Sequence, residues 1–354
     1  MSADVSTHPA PVSPPGPFQI GRSFVHPVFD YLLIGGGLSL VVGLLVGLGG
    51  EPVARSRPLL VATFLLFVNS AHFAASTVRL YTKPGAFGEW PFLALGLPLA
   101  MIALLTVALL YGEHLGRHLF ALYLTWSPFH YAAQAFGLAS MYSYRSGCRL
   151  SEGDRRLLWW CCMLPFAYSF VGGYAAGLGW FVPPEVFSRH PTLTLIQDGL
   201  SAALILATFM APLVLLARLE RRGEAFPLIS LLAVFTNGIW WILFDYFDAF
   251  LWATVFHGLQ YLSIVTIFHV RDQRSQSRDR HGWAYHALWF YGTSLVLGYL
   301  LFQVWPFAYV SAGFRWSESA LLVVATINIH HFIVDRYIWR LRKDPNYRIV
   351  VSGG

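Results

Sequence analysis

Five histidines lie inside long apolar runs, and four of them stand about one helical turn before another polar side chain. His72 precedes Ser76, His130 precedes Gln134 and His257 precedes Gln260, while His331, with His330 beside it, precedes Asp335. Offsets of three or four residues put both groups on one helix face. In the segment 326–340 the stripe also carries Asn328, so an amide, an imidazole and a carboxylate line up at i, i+3 and i+7. An ionisable residue at the centre of a bilayer helix costs about 2.5 kcal/mol or more, so such residues persist where they bind a metal, a cofactor or one another.

Neutral imidazole with a carboxylate suits iron first and copper or zinc next. No thiolate spacing accompanies the histidines, since Cys161 and Cys162 are adjacent in an apolar run, so soft-ligand and iron–sulfur sites drop out. A His-Glu-x-x-His peptidase motif is absent. The expected metal ligands are His72, His130, His257, His330 and His331, with Asp335, Gln134 and Gln260 as catalytic or supporting groups. Two other readings use the same residues. Axial histidines on separate helices, paired His72 with His130 and His257 with His331, would bind haem in the manner of haem A synthase-like architecture. A polar stripe through a bundle would also serve a transporter or metal-handling protein, to which Pro128 beside His130 and Gly258 beside His257 would contribute helix breaks.

The elements that must position these groups follow from composition. Of 354 residues 56% are hydrophobic and 12% charged, and the mean hydropathy is +0.54, which leaves too little polar surface for a water-soluble globule. The expectation is an all-α, polytopic bundle of about ten transmembrane helices, at 29–49, 58–81, 91–111, 118–143, 157–181, 199–217, 227–245, 249–269, 286–306 and 319–340. Only the short stretch from Asp245 to Asp248 separates the seventh span from the eighth. With ten spans, all but Arg55, Arg57, Arg117, Arg189 and Arg315 of the 24 Lys and Arg fall on the side of the N-terminal tail, which predicts both termini in the cytoplasm. The same distribution explains the net charge of +6 without nucleic acid.

Around the helical domain, 25–343, the sequence predicts a disordered Pro-rich tail at 1–24 and a C-terminal tail at 344–354. His72, His130, His257 and His331 fall on the second, fourth, eighth and tenth spans, which all run in the same direction. Distances to the cytoplasmic ends agree to within roughly 6 to 9 Å at 1.5 Å per residue, so one shared site is feasible. His8, His26, His114, His118, His190, His269, His281 and His286 read as solvated or interfacial, Arg79 as a topology anchor, and Trp126, Trp240, Trp241 and Trp339 as belt or packing residues.

The gathering of a few histidines from separate helices resembles the polytopic Brp/Blh type of carotenoid oxygenase, and the segments Asn-Ser-Ala-His-Phe, His-Tyr-Ala-Ala-Gln and His-His-Phe-Ile-Val-Asp look like those of bacterial multi-pass membrane proteins. The resemblance covers the four histidine-bearing helices and implies non-haem iron; a β-carotene substrate does not carry over. The expectation is an oxygenase, hydroxylase or desaturase-like enzyme of the bacterial inner membrane. It would act on an isoprenoid or acyl substrate entering from the bilayer and would draw electrons from a donor protein.

Overall fold

Apolar segments surrounded by lipid have no water to satisfy their backbone, and helices meet that requirement within one segment. The computed structural model is helical almost throughout and describes residues 16–49, 58–83, 86–173, 176–275 and 280–339. In chain order the principal helices are α1 (Pro27–Ile34), α2 (Gly37–Leu45), α3 (Val61–Thr82), α4 (Phe92–Leu110), α5 (Arg117–Arg145), α6 (Glu152–Gly172), α7 (Pro191–Glu220), α8 (Leu228–Leu243), α9 (Asp248–Arg274), α10 (Trp283–Ser311) and α11 (Trp316–Ile338). Six of them, α3, α4, α7, α9, α10 and α11, are long and apolar enough to cross a membrane, and the bent pair α1 and α2 makes a seventh if it is one span. The chain is a multi-pass integral membrane protein.

The expected count of ten is therefore not reached by length and apolarity among the described residues. The other three expected segments are helical, but α8 is short, and α5 and α6 are long without being apolar enough. For α5 the reason is its inward face, which carries Ser127, His130 and Gln134. The Asp245–Asp248 stretch does separate two helices, with the Asp245 carboxylate accepting the Asp248 N–H at 3.1 Å to start α9.

The histidine-bearing helices form a ring in which α11 packs on α3 and α5, and α9 closes the circuit by packing on the same two. Paired contacts show that they are parallel. His72 lies beside His257 while, further along both helices, Arg79 bonds Asp272 at 2.5 Å; His257 and His331 adjoin the same site while, four residues on, Tyr261 bonds Asp335 at 2.6 Å. Leu138 of α5 and Ile264 of α9 share a core cluster on the same side of the histidines. The remaining helices shield the ring, with α10 against α3 and with α6 and α8 against α5.

Proline and glycine shape the ring locally. Pro128 removes a helical N–H, and the carbonyl of Leu124 four residues back accepts instead from the Tyr246 hydroxyl at 3.4 Å. In α3 a π-helical turn at Leu65–Ser70, its last residue bonded from Oγ to the Leu65 carbonyl at 3.0 Å, immediately precedes the turn bearing His72. Gly298 of α10 fits against it, since a Cβ there would lie 2.5 Å from the Ser70 carbonyl oxygen. The 56° bend between α1 and α2 falls at Gly36, whose φ of +87° suits glycine and whose Cβ would strike Thr236.

Residues 16–24, which the sequence predicts as part of a disordered tail, lie against the bundle. Phe18–Gln19 pairs in parallel with Phe226–Pro227, and Phe24 is buried, with the Arg145 and Arg271 guanidinium groups over its ring. The cause is Asp30, fully buried, whose carboxylate accepts the N–H groups of Phe24, Val25 and His26 and the Tyr142 hydroxyl at 2.5 to 3.3 Å. Residues 1–15 and the C-terminal tail at 344–354 lie outside the described residues. An Asp30→Ala variant should lose about 3 kcal/mol of stability, because buried donors are left without an acceptor. The expected readouts are a lower unfolding midpoint in detergent and faster proteolysis between residues 18 and 26.

Candidate metal centre

Four imidazoles, from α3, α5, α9 and α11, meet in the middle of the ring. One ring nitrogen from each of His72, His130, His257 and His331 lies within 4.8 Å of every other, and the four could hold a metal ion. Centroids are 4.7 Å apart for His72 and His257, 4.5 Å for His72 and His331, 4.9 Å for His130 and His257, and 5.0 Å for His130 and His331. His72, His257 and His331 are buried, whereas His130 keeps 11% of its side chain exposed, on the wall of a cavity.

Close approach of α9 to α3 depends on Gly258, whose added Cβ would sit 3.3 Å from Val68 and 3.4 Å from the His72 Cβ. Steric need explains this glycine without any helix break, since α9 runs through it. Below the rings, the Ser76 hydroxyl donates to the Phe73 carbonyl at 3.1 Å, which leaves it to accept from His331 Nδ1 at 2.9 Å. That bond assigns the proton to Nδ1 and turns the Nε2 lone pair inward. His331 Nε2 lies 3.2 Å from His130 Nε2. Two nitrogens each about 2.1 Å from a tetrahedral ion would be about 3.4 Å apart, so the spacing fits a shared ion.

The other two rings carry a stronger indication. Both nitrogens of His72 and both of His257 are buried with no hydrogen-bond partner. A buried polar atom left without a partner costs about 1–3 kcal/mol, so four on two adjoining rings favour a bound ion. Asp335 stands at the edge, its Oδ2 3.4 Å from His331 Nε2 and 3.7 Å from His130 Nε2, while its Oδ1 accepts from Tyr261. The carboxylate can complete a ligand set or take a proton beside it. Its sequence neighbour Arg336 is exposed and does not pair with it.

His330 is not among the converging rings, because adjacent residues lie about 100° apart on a helix and His331 holds the inward position. Gln134 Nε2 donates to the His257 carbonyl at 3.2 Å and ties α5 to α9. Gln260 lies on a small cavity of about 30 Å³ beside His257, with Thr236 and Asn237. Neither amide bonds an imidazole nitrogen of the four among the described residues. Ser76 serves the ring of His331 rather than that of His72 on its own helix.

Tyr261 and Tyr131 were not legible as site residues. Tyr261 holds Asp335 and lies edge-on to His72 at 4.8 Å; Tyr131 packs on His257 at 4.4 Å with its hydroxyl 2.6 Å from Thr254. The position of Tyr261 four residues after His257 was the available signal. His269, expected at an interface, is buried against Phe290 and Trp289, and His286 is buried too. Arg79 is buried and paired with Asp272, a structural tie between α3 and α9.

Comparison with protein-family models, curated proteins and solved structures finds no match, so the functional reading rests on this geometry. Ser76→Ala should weaken metal binding by about 10–100-fold through loss of the bond that orients His331, with little change in helix content. Titration of metal-stripped protein followed by circular dichroism checks both.

Proposed function

We propose that the protein is an integral-membrane, metal-dependent oxidoreductase that acts on a lipid-soluble substrate at the four-histidine centre. The observation that carries this reading is the set of partnerless buried nitrogens on His72 and His257, in contact with His130 and His331. Iron is the proposed metal, since an all-nitrogen set with one adjacent carboxylate is borderline-hard and lacks thiolates. When bound, iron supplies redox chemistry toward dioxygen. His72, His130, His257 and His331 would hold it, with Asp335 beside it as a further ligand or proton acceptor.

The chain's own residues account for the rest. Tyr261 fixes the Asp335 carboxylate, Ser76 fixes the tautomer of His331, and the buried aromatic residues around the rings exclude water. A cavity of about 420 Å³ reaches His130 and Asp335 and gives a substrate its approach. The proposal includes the resemblance to Brp/Blh-type oxygenases, an isoprenoid or acyl substrate, a bacterial inner-membrane location, ten crossings with both termini in the cytoplasm, and a separate electron-donor protein.

Haem fits less well. A macrocycle bound between two imidazoles would hold the other rings apart, whereas each of the four rings lies within 5.0 Å of two others. An ion path is disfavoured because the centre is walled by side chains, with α3, α9 and α11 continuous through it.

Elemental analysis and visible absorption of purified protein test the proposal. Wild type should carry roughly one iron per chain without a Soret band, and His331→Ala should lose most of it. Equal metal in both proteins would sink the assignment, and a sharp Soret band would replace it with haem.

A further inference from the structure

The cavity that reaches the histidines is long and apolar and carries a single cation on its wall. One wall runs along α5 from Trp126 to Met141, a length of roughly 22 Å at 1.5 Å per residue. Trp159, Phe332 and Trp339 contribute aromatic wall, and its polar groups are confined to His130, Gln134, Tyr261, Asp335 and Arg336. Gly137 faces its open space, since a Cβ there would meet nothing within 4 Å.

Arg336 is exposed and lines this cavity, and among the described residues no carboxylate pairs with it. It is also the only cation among the described residues that line the cavity. A guanidinium beside an apolar slot is matched by a lipid with one anionic end, and a single planar fork suits a carboxylate, which it can bind bidentately. A phosphate or diphosphate would call for more positive charge.

We infer that the cavity binds a long-chain carboxylic acid, with its carboxylate on Arg336 and its hydrocarbon chain running along α5 past His130. The inference rests on the proposed oxidoreductase reading for its chemical meaning, and it adds the substrate class and the direction of binding. Because His331 and His130 touch, they lie at one level, and Arg336 is five residues further on, roughly 7.5 Å along the axis. The carbon presented to the metal centre is therefore several bonds from the carboxylate, and the carbon next to the head group is out of reach. Beyond His130 four more residues of cavity wall, roughly 6 Å, lead to Trp126, so roughly 13 Å of a chain anchored at Arg336 lies along the wall and its last carbons extend past Trp126.

The test uses the full chain in nanodiscs and a photoactivatable diazirine derivative of a long-chain fatty acid, with adducts mapped by peptide mass spectrometry. Labelling should fall on 126–141 and 332–339. Palmitate should compete at least about tenfold better than methyl palmitate or phosphatidylcholine, an advantage that Arg336→Gln removes and Arg336→Lys keeps only in part. Gly137→Phe should abolish labelling of these segments while metal content stays at the wild-type level. Equal competition by the methyl ester, adducts elsewhere, or undiminished labelling of Gly137→Phe would overturn the inference. Labelling is also measured in His331→Ala: retention there supports the cavity assignment independently of the metal, whereas the metal assignment itself fails only on metal content.

Discussion

A neutral imidazole buried in a membrane protein needs a partner for each of its nitrogens, and this need governs the centre of the bundle. Eight ring nitrogens meet there, and the protein satisfies few of them itself. Ser76 takes one from His331, while both nitrogens of His72 and of His257 have no hydrogen-bond partner. Ordinary hydrogen bonding between helices leaves no such surplus, because the donors and acceptors of a satisfied interface pair off. A cation that takes one lone pair from each ring supplies a partner for one nitrogen of His72 and one of His257, and the 3.2 Å between two Nε2 atoms has the dimension of ligands on one ion.

The surrounding structure makes that convergence geometrically possible. Four helices can bring imidazoles together only if their backbones approach closely, and Gly258 permits this between α9 and α3. The π-helical turn before His72 and the proline before His130 both disturb regular helix immediately beside a converging imidazole, and each disturbance is satisfied locally, by Ser70 and by Tyr246. Such irregularities in membrane helices are tolerated where neighbouring side chains recover the freed backbone groups. At the end of the ring toward which these helices run, Asp30 ties the N-terminal segment to Tyr142 of α5, and Arg145 and Arg271 donate to the Ser23 and Phe24 carbonyls, which closes the bundle below the centre.

The two sides of the centre differ in character. Toward His130 and Asp335 lies the long apolar cavity that Arg336 lines; toward His257 lies a pocket of one-water size walled by Ser39, Thr236, Asn237 and Gln260. A redox site that handles a hydrocarbon on one face and protons on the other would use this asymmetry. Asp335, bonded to Tyr261 and adjacent to the rings of His130 and His331, stands where the apolar side meets the four imidazoles.

Much of this was legible in the chain itself. Composition alone required helices in lipid, and the coincidence of histidines with polar neighbours one turn away on spans of the same direction identified His72, His130, His257, His331 and Asp335 as a group. Periodicity states which residues share a face of one helix; it does not state which face meets which neighbour. Tertiary packing therefore decided that His330 stays outside the four, that Ser76 serves the ring of another helix, that Gln134 bonds backbone, and that Tyr261 holds the carboxylate. It also decided the paired surroundings of Asp30, because the acceptor capacity of one buried carboxylate becomes visible only when donors from distant segments arrive around it.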